Sequence, residues 1–422
     1  MRLILLLMSL VLLAAHTKAE PQPLEWFDHG YIFWHAEWMA NKPDALSSTE
    51  SNSKHVDLPH FWQSDDTTEF TEGDSAWYRL HIPSDIPTDK RSGIFLDRAL
   101  ANAEIYFNDD YLGNTGATDG IIAQNWNRPL LVRIPNSSWL EKNNTLTIHL
   151  QGNAGFGTLI PPIIGDYDEL WRDWYVEKYF LRIEVPKNSF FLIVLICCFG
   201  LLLWRITKQK LLLLTAMIGA VILVPTLYSY AQYIPLPHSF FVRATHWCLD
   251  FSLFIIALLA RAKYGLSIGL PIKLGAIYFI VLAFISGLTP DNVIVPIANV
   301  LHLPSIILTL YTMSLIAKNF NKTRSPSDIS FMAGLVVILS FFAHDVSLSL
   351  SADLHRWFNE PHLGPLSLPI MFLLLVISLT LMFRRYMEAL ATLNSELSIR
   401  LDIARQRFKR RTEHSVVLAE QS

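Results

Sequence analysis

The sequence predicts a multi-domain membrane protein: an all-β sandwich first, seven membrane-spanning helices next, and a helical tail last. Residues 20–185 read as an ordinary globular domain with short alternating strand patterns. From Pro186 onward the chain changes to long apolar runs separated by short polar gaps, and from Arg384 it lacks Gly and Pro. Because 51% of all residues are hydrophobic, the apolar side chains cannot all belong to a globular core.

Charge and cysteine content exclude two classes of protein. The formal net charge is -3, and no block of Lys and Arg precedes the tail, so we expect no nucleic-acid partner. All three cysteines, Cys197, Cys198 and Cys248, lie in apolar runs. The β domain therefore has no thiol with which to form a disulfide, and packing must stabilise it.

The first residues have the pattern of a cleaved export signal. Arg2 supplies the early positive charge, residues 3–15 form an apolar run, and Thr17 and Ala19 are small enough for a cleavage site. We expect residues 1–19 to be removed and the mature protein to begin at Glu20.

Strand and turn signals are clear in the exported domain. In residues 78–82 and 146–150 apolar and polar side chains alternate, as a half-buried strand requires. Residues 105–112 place Asn108 and two aspartates between apolar and aromatic residues, which predicts a hairpin with its tip at residues 108–110 and its end at Gly113. Short strands with such turns favour a β-sandwich.

Residues 186–385 contain seven runs long enough to cross a bilayer, which needs about 20 apolar residues. They are centred near Ile196, Val221, Ile255, Val281, Ile307, Val337 and Leu374.

Basic residues fix the expected orientation, because loops on the cytoplasmic side are enriched in Lys and Arg. The basic residues after the odd-numbered spans are Lys208, Lys210, Arg261, Lys263, Lys273, Lys318, Lys322, Arg324, Arg384 and Arg385. The loops at residues 234–239, 289–292 and 351–364 contain a single basic residue, Arg356. We therefore expect the N-terminal domain outside and the tail inside.

The tail, residues 386–422, has an apolar pattern that repeats after eleven residues. Leu390 recurs as Leu401, Leu393 as Ala404 and Leu397 as Phe408. An eleven-residue repeat gives about 3.67 residues per turn and a weakly right-handed coiled coil, which would make the chain a homodimer. The alternative is an amphipathic helix on anionic lipid. That reading is favoured by Arg405, Arg407, Lys409, Arg410 and Arg411.

The layout and five short segments resemble a known family. The segments are residues 30–34 (GYIFW), 58–62 (LPHFW), 76–80 (AWYRL), 105–108 (IYFN) and 162–165 (PIIG). In order and spacing the chain is similar to bacterial seven-transmembrane receptors with diverse intracellular signalling modules. The same segments resemble the jelly-roll sugar-binding domain of β-galactosidase-type glycosidases, a galactose-binding-like fold.

The resemblance implies a signalling receptor in the inner membrane of a Gram-negative bacterium. Its jelly roll would sense a periplasmic ligand, for which a carbohydrate is one candidate. In that family an output domain, often a histidine kinase or a nucleotide cyclase, follows the seventh helix. Residues 386–422 lack the Asn-rich and Gly-rich segments that hold ATP, so we expect a fused or separate output partner. The alternatives are a transporter or channel, and a membrane scaffold that presents the β domain.

A polar loop is the candidate ligand site of the β domain. Asn125, Trp126, Asn127 and Arg128 combine an aromatic face with side-chain amides and a cation, a set that suits a sugar. The alternative is that Trp126 caps the sandwich core. We expect no enzyme and no cofactor, because no pair of carboxylates has an acid–base spacing and no His or Cys cluster has zinc spacing.

Ionisable residues inside spans are costly and usually face a partner. Arg243, His246 and Asp250 fall on one face of the third span, while His302 lies in the fifth span and His344 and Asp345 in the sixth. The position of each residue along its helix gives its depth in the membrane. Asp250 and His302 lie at a similar depth, so we expect them to meet. By the same argument, we expect Arg243 or His246 to meet His344 or Asp345. Such a network would stabilise the bundle or act as a pH-sensitive switch.

Overall fold

The computed structural model describes residues 26–27, 30–40, 53–62, 75–83, 91–100, 102–116, 123, 125–152, 157–290, 300–349 and 363–420. The expected export signal and the cleavage point at Glu20 lie outside these residues.

The N-terminal region is built from antiparallel strands. The strands are β1 (Trp26–Phe27), β2 (Gly30–Ile32), β3 (His35–Met39), β4 (Lys54–Asp57), β5 (His60–Phe61), β6 (Ser75–His81), β7 (Ser92–Leu96), β8 (Ala99–Leu100), β9 (Asn102–Phe107), β10 (Asp110–Asn114), β11 (Leu130–Arg133), β12 (Thr145–Gln151), β13 (Thr158–Leu159) and β14 (Ile163–Asp166). One sheet has the order β1-β2-β14-β7-β11, a second β10-β9-β12-β6-β3-β4, and a small third β5-β13-β8.

The two larger sheets share one core. The predicted strands at residues 78–82 and 146–150 are confirmed in β6 and β12, which pair with Tyr78 opposite Ile148. Alternate side chains of the six-stranded sheet, such as Leu80 and Ile148, pack with Ile94 and Ile164 of the five-stranded sheet. Burial of these aliphatic side chains holds the sheets together without a disulfide.

The predicted hairpin is present with its tip at Asn108, where φ is 54°, a conformation that Asn tolerates better than most residues. The prediction that Gly113 ends the hairpin is wrong. Strand β10 continues to Asn114, and the pairing register shifts between Tyr111 and Gly113. Gly113, with φ 156°, accommodates this bulge.

Seven helices within the described residues are long and apolar enough to cross a membrane, so the chain is a membrane protein. They are α1 (Val185–Thr207), α2 (Lys210–Tyr230), α3 (His238–Lys263), α4 (Leu270–Leu288), α5 (Leu303–Thr323), α6 (Pro326–Ser349) and α7 (Gly364–Glu420). Each contains the centre predicted for it.

The expected domain boundary at residue 185 falls inside a helical stretch. Strand β14 ends at Asp166, and residues 167–184, here called the connector, are already helical and continue into α1. The Asp166 carboxylate caps the start of the connector by accepting the N–H groups of Asp168 and Glu169. Two stretches, Trp171–Tyr175 and Phe180–Glu184, have π-helical hydrogen bonding.

The helices pack around a core that includes Ile218 of α2, Ile255 of α3, Phe331 of α6 and Phe372 of α7. Helix α7 packs against α6, α2 and α1, and α3 packs against α2, α4 and α5. Helix α7 then leaves the bundle and continues without a break to Glu420. The tail is therefore an extension of the seventh membrane helix.

The expected dimerisation residues of the tail lie on an exposed part of α7. The side chains of Leu390, Leu393, Leu397 and Leu401 are 41–59% exposed in this single chain. The side chain of Phe408 lies outside the described residues.

Candidate functional site

The loop expected to bind a ligand instead contacts the end of helix α2. Trp126 donates its indole N–H to the carbonyl of Tyr228 at 3.1 Å, and its ring stacks on the Tyr228 ring. The Asn127 amide donates to the Ser229 carbonyl at 3.3 Å. The Arg128 guanidinium donates to the Tyr230 carbonyl at 3.2 Å.

These three consecutive side chains cap the end of α2. The last carbonyls of a helix have no partner inside the helix, and a cation is favourable at its negative end. Arg128 supplies that cation at the last helical residue, Tyr230. The β domain thus provides the C-terminal cap of a membrane helix.

This geometry corrects the predicted ligand site. Asn125 is fully buried and donates to the side-chain oxygen of Asn102 in β9 at 2.6 Å. Asn127 is 6% exposed and also donates to the carbonyl of Arg182. The amides that were expected to face a sugar are turned toward protein, and Trp126 packs on α2 rather than on the sandwich core.

A second contact involves the connector and the carboxylate of Asp97, which follows β7. Lys178 and Arg182 lie one helical turn apart on the connector. Lys178 Nζ lies 2.6 Å from one Asp97 oxygen, and Arg182 donates at 3.0 Å to the other oxygen and at 3.0 Å to the Asp97 carbonyl. Because Asp97 is fully buried, this cluster fixes the β domain on the connector.

The charges of this cluster decide its protonation. Burial alone would raise the pKa of Asp97, but the charges of Arg182, Lys178 and Arg98 outweigh burial and hold that pKa well below its ordinary value. Burial lowers the pKa of Arg98 to about 10, while the neighbouring Asp97 raises it. The cationic neighbours of Asp97 therefore stabilise its carboxylate form.

The segment after α2 adds a third contact. The Gln232 amide donates to the Thr115 carbonyl at 2.7 Å. Thr115 is itself fixed to β9, since its hydroxyl oxygen accepts the N–H of Ala103 at 2.8 Å. The loop between α2 and α3 thus also lies against the β domain.

The predicted pairing of Asp250 with His302 is confirmed. Nδ1 of His302 lies 3.1 Å from both carboxylate oxygens of Asp250, and Nε2 lies 3.1 Å from Nδ1 of His246. The Tyr278 hydroxyl completes the group at 3.4 Å from Asp250. The cluster joins α3, α4 and the start of α5.

The other predicted contacts differ from the observed ones. Arg243 donates to the carbonyls of Ser286 and Thr289 and so caps the end of α4. His246 bonds to His302 instead of His344 or Asp345. Asp345 is hydrogen-bonded to His344, at 3.1 Å, and to the start of α7. Depth along the helices gave the levels of these groups, but not the rotational positions that decide which groups meet.

A polar cluster near the tail-side end of the bundle was missed by sequence reasoning. Lys263 Nζ lies 2.8 Å from Asp328, and both side chains are at most 5% exposed. The Tyr264 hydroxyl donates to the same carboxylate at 2.9 Å. Ser327 and Ser378 bring α6 and α7 into this cluster. In the sequence, Lys263 has the position expected of a cation in a loop. The feature that could have revealed the cluster is a basic residue at the end of one span together with an aspartate at the start of another.

The structure thus defines a class: a membrane protein whose β domain is fixed by buried polar contacts on seven long apolar helices. No protein-family model matches the chain. No curated protein matches it either.

Several solved enzyme structures are similar to part of this chain. A Bacteroides uniformis β-glucuronidase is 20% identical over 31% of this chain and 16% of its own length, with a TM-score of 0.25. A glycosyl hydrolase family 2 member from Bacteroides cellulosilyticus DSM 14838 is 17% identical over 32% of this chain and 20% of its own, with a TM-score of 0.26.

A β-glucuronidase from an uncultured Clostridium species is 12% identical over 33% of this chain and 30% of its own length, with a TM-score of 0.26. The chain thus spans less than a third of the length of each of these enzymes. Similarity at this level carries no argument about substrate or activity.

Proposed function

We propose that this chain is a transmembrane signalling receptor of the bacterial inner membrane, with its β domain in the periplasm and its tail in the cytoplasm. One observation carries the proposal. Buried polar residues of the β domain bind the connector and α2, while α7 runs unbroken from the bundle into an exposed tail. In such a receptor the β domain, fixed on the helices, receives the signal, and the continuous helix α7 carries it to the tail.

The finer features of the proposal rest on sequence and packing. The β domain is a jelly roll, supported by its two facing sheets and by the segments that resemble the receptor family. Periplasmic placement rests on the basic residues at the opposite ends of the helices. The tail pairs with a second copy as a coiled coil, supported by its eleven-residue apolar repeat.

For the ligand we propose a carbohydrate on the outward face of the six-stranded sheet. Tyr111 is 53% exposed and lies 5.4 Å from the Tyr106 ring. The Glu104 carboxylate accepts from the Tyr106 hydroxyl at 3.1 Å and lies 2.9 Å from Nδ1 of His149. Burial and the Glu104 charge raise the pKa of Tyr106 to about 12, so its hydroxyl stays protonated. Aromatic faces beside polar groups suit a sugar.

Output passes to a fused or separate signalling module, of which a histidine kinase is the first candidate. The receptor segment itself is not an enzyme in this proposal. The carboxylates of Asp97 and Asp166 have structural partners, since Asp97 binds the connector and Asp166 caps it.

Cysteine crosslinking of the tail tests the proposal. In a chain with Cys197→Ala, Cys198→Ala and Cys248→Ala, single cysteines are placed in turn from Leu390 to Leu401 and oxidised in bacterial membranes. We expect dimer yields to peak at Leu390, Leu393, Leu397 and Leu401, and to change when neutral oligosaccharides are added.

The matched control carries Tyr111→Ala, which removes the exposed aromatic face and should abolish the change caused by sugar while leaving the crosslinking pattern intact. Equal yields at every tail position would contradict the coiled coil. Tail yields that no sugar alters would remove carbohydrate as the ligand.

A further inference from the structure

One ridge of the connector faces the β domain. Leu170, Trp174, Lys178 and Arg182 recur at every fourth position. The first two pack on the five-stranded sheet, and the last two bind Asp97. A spacing of four would drift around an ordinary α-helix. The two π-helical stretches put more residues into each turn, which keeps the ridge in line over the whole connector.

The opposite side of the same helix carries exposed apolar side chains. On the connector these are Trp171, Val176 and Phe180, and along α1 the same side continues through Leu195 and Phe199. All five side chains are between 40% and 67% exposed. We call these five residues the stripe. It runs along one continuous helix from the β domain into the membrane bundle.

Lipid can cover the stripe only along α1. The apolar core of a bilayer, about 30 Å thick, takes about 20 helical residues. Counted back from the end of α1 at Thr207, the span is complete at about residue 187. At about 1.5 Å per residue, Val176 then lies about 16 Å and Trp171 about 24 Å past that point, beyond a headgroup layer of about 5–8 Å. Exposed apolar side chains outside the bilayer indicate a protein partner.

The charges beside this part of the stripe have both signs. Arg172 and Asp173 are neighbours with exposed side chains, and the exposed Glu177 follows one turn later. Such a surface is self-complementary, because in a twofold pair the cation of one copy can face an anion of the other. A second copy of this chain is therefore the partner that the surface fits.

We propose that the stripe is the interface with a second copy of this chain, with the two long helices parallel about a twofold axis. Helix α1 packs beside α7 in the bundle, so this pairing brings the two α7 helices close together, as pairing of their tails requires. The inference rests on the homodimer of the proposed function and adds the surface that joins the two copies next to the β domain.

Two natural cysteines of α1 provide the probe and its control. Cys198, three residues after Leu195, is exposed, whereas Cys197 is buried with its thiol 3.5 Å from the Ala216 carbonyl of α2. Chains that keep only one of these two cysteines are oxidised with copper phenanthroline in bacterial membranes. We expect a severalfold higher dimer yield from Cys198 than from Cys197.

The connector is probed in the same way in a chain without natural cysteines. Val176→Cys should form dimers as readily as Cys198. The controls for random collision are two exposed positions away from the stripe, Phe284→Cys on α4 and Tyr233→Cys after α2. Yields at Cys198 and Val176→Cys no higher than at these controls would overturn the interface and leave lipid as the cover of α1. Crosslinking at Cys198 alone would also overturn it, since the contact would then end within the membrane.

A charge placed in the connector tests whether the stripe acts as one surface. In the chain that keeps only Cys198, Phe180→Asp brings two like charges together in the pair and should lower the Cys198 dimer yield severalfold. Leu140→Asp, at an exposed position of the β domain, is the matched control and should leave the yield unchanged. An unaltered yield with Phe180→Asp would contradict the proposal.

The tail crosslinks keep this inference separate from the proposed function. Dimers at the tail positions without dimers at Cys198 and Val176→Cys would refute the stripe as an interface and leave the coiled coil standing. Dimers at the stripe with equal yields along the tail would support the interface and refute the coiled coil.

Discussion

At the scale of single residues, buried charges do most to define this molecule. Asp97 is surrounded by three cations from two parts of the chain, and the free energy of such a group depends on its partners being in place. Removing one partner of a buried pair is costly because the remaining charge stays desolvated. Within the bundle, Asp250 and His302 form another buried polar pair.

Replacing Asp97 should therefore destabilise the protein strongly. We expect Asp97→Asn to lower the free energy of unfolding by about 3–5 kcal/mol, because Lys178 and Arg182 would remain buried without their anion. This loss in the free energy of unfolding can be measured by denaturant unfolding in mixed micelles, followed by tryptophan fluorescence. The control is Asp168→Asn, which removes the exposed ion pair between Asp168 and Arg91. This change should cost at most about 1 kcal/mol. Equal costs for the two variants would contradict a buried ion cluster.

The pKa of Asp97 predicts the pH dependence of this contribution. Since the folded protein holds that pKa below its ordinary value, the stabilisation is complete above the unfolded value, near pH 4, and is lost as the pH falls below it. The stability difference between the wild-type chain and Asp97→Asn should be constant from about pH 7 to pH 5 and shrink below about pH 4. A difference that persists unchanged at acid pH would be inconsistent with this.

At the scale of elements, the chain uses side chains of one element to end another. Residues 126–128 cap α2, Arg243 caps α4 and Asp345 caps α7. Sequence reasoning found the polar loop and the charged residues but not these roles. A cap supplied from a residue 102 positions away leaves no local pattern, whereas strand alternation and apolar runs are local and were predicted well.

Removal of the α2 cap should weaken the junction measurably. We expect Asn127→Ala to lower the free energy of unfolding by about 1–3 kcal/mol, because the carbonyls of Arg182 and Ser229 lose a buried donor. Asn136→Ala, at an exposed position in the same domain, should change it by less than about 0.5 kcal/mol. If both substitutions were equally mild, the cap would contribute nothing.

The cluster at Lys263 and Asp328 joins α3, α6 and α7 and gives a prediction of its own. Either Lys263→Ala or Asp328→Ala should cost about 3–5 kcal/mol, while the double replacement Lys263→Met with Asp328→Leu should cost clearly less than either single change, because no unpaired charge remains buried. Unfolding in micelles provides the comparison, with Arg384→Ala, from an exposed pair with Glu388, as the control. A double replacement as damaging as the single ones would argue against a simple ion pair.

At the scale of the whole molecule, the sequence predicted the seven helices, the β-rich first domain and the continuous tail helix. The boundary it predicted at residue 185 falls inside a helical stretch, because the connector combines polar residues such as Lys178 and Arg182 with helical structure. Lys178 and Arg182 contact Asp97 of the β domain, and the polar composition of this stretch assigned it to that domain. Packing between distant elements, which decides the junction, is not encoded in any local window.

The orientation of the molecule can be measured with a membrane-impermeant maleimide on the chain that lacks its natural cysteines. Tyr233→Cys, in the loop beside the β domain, should label in intact cells once the outer membrane is permeabilised. Arg324→Cys, at the opposite end of the bundle, should label only after lysis. The reverse pattern would invert the proposed topology.

The central claim, that docking of the β domain controls the tail, is tested most directly by crosslinking a cysteine at Leu397 in bacterial membranes with the junction intact or broken. We predict that Asn127→Ala and Arg98→Ala change the dimer yield at this position severalfold, while Arg91→Ala leaves it unchanged. Identical yields in all these variants, with the β domain still folded, would show that the tail does not respond to the β domain.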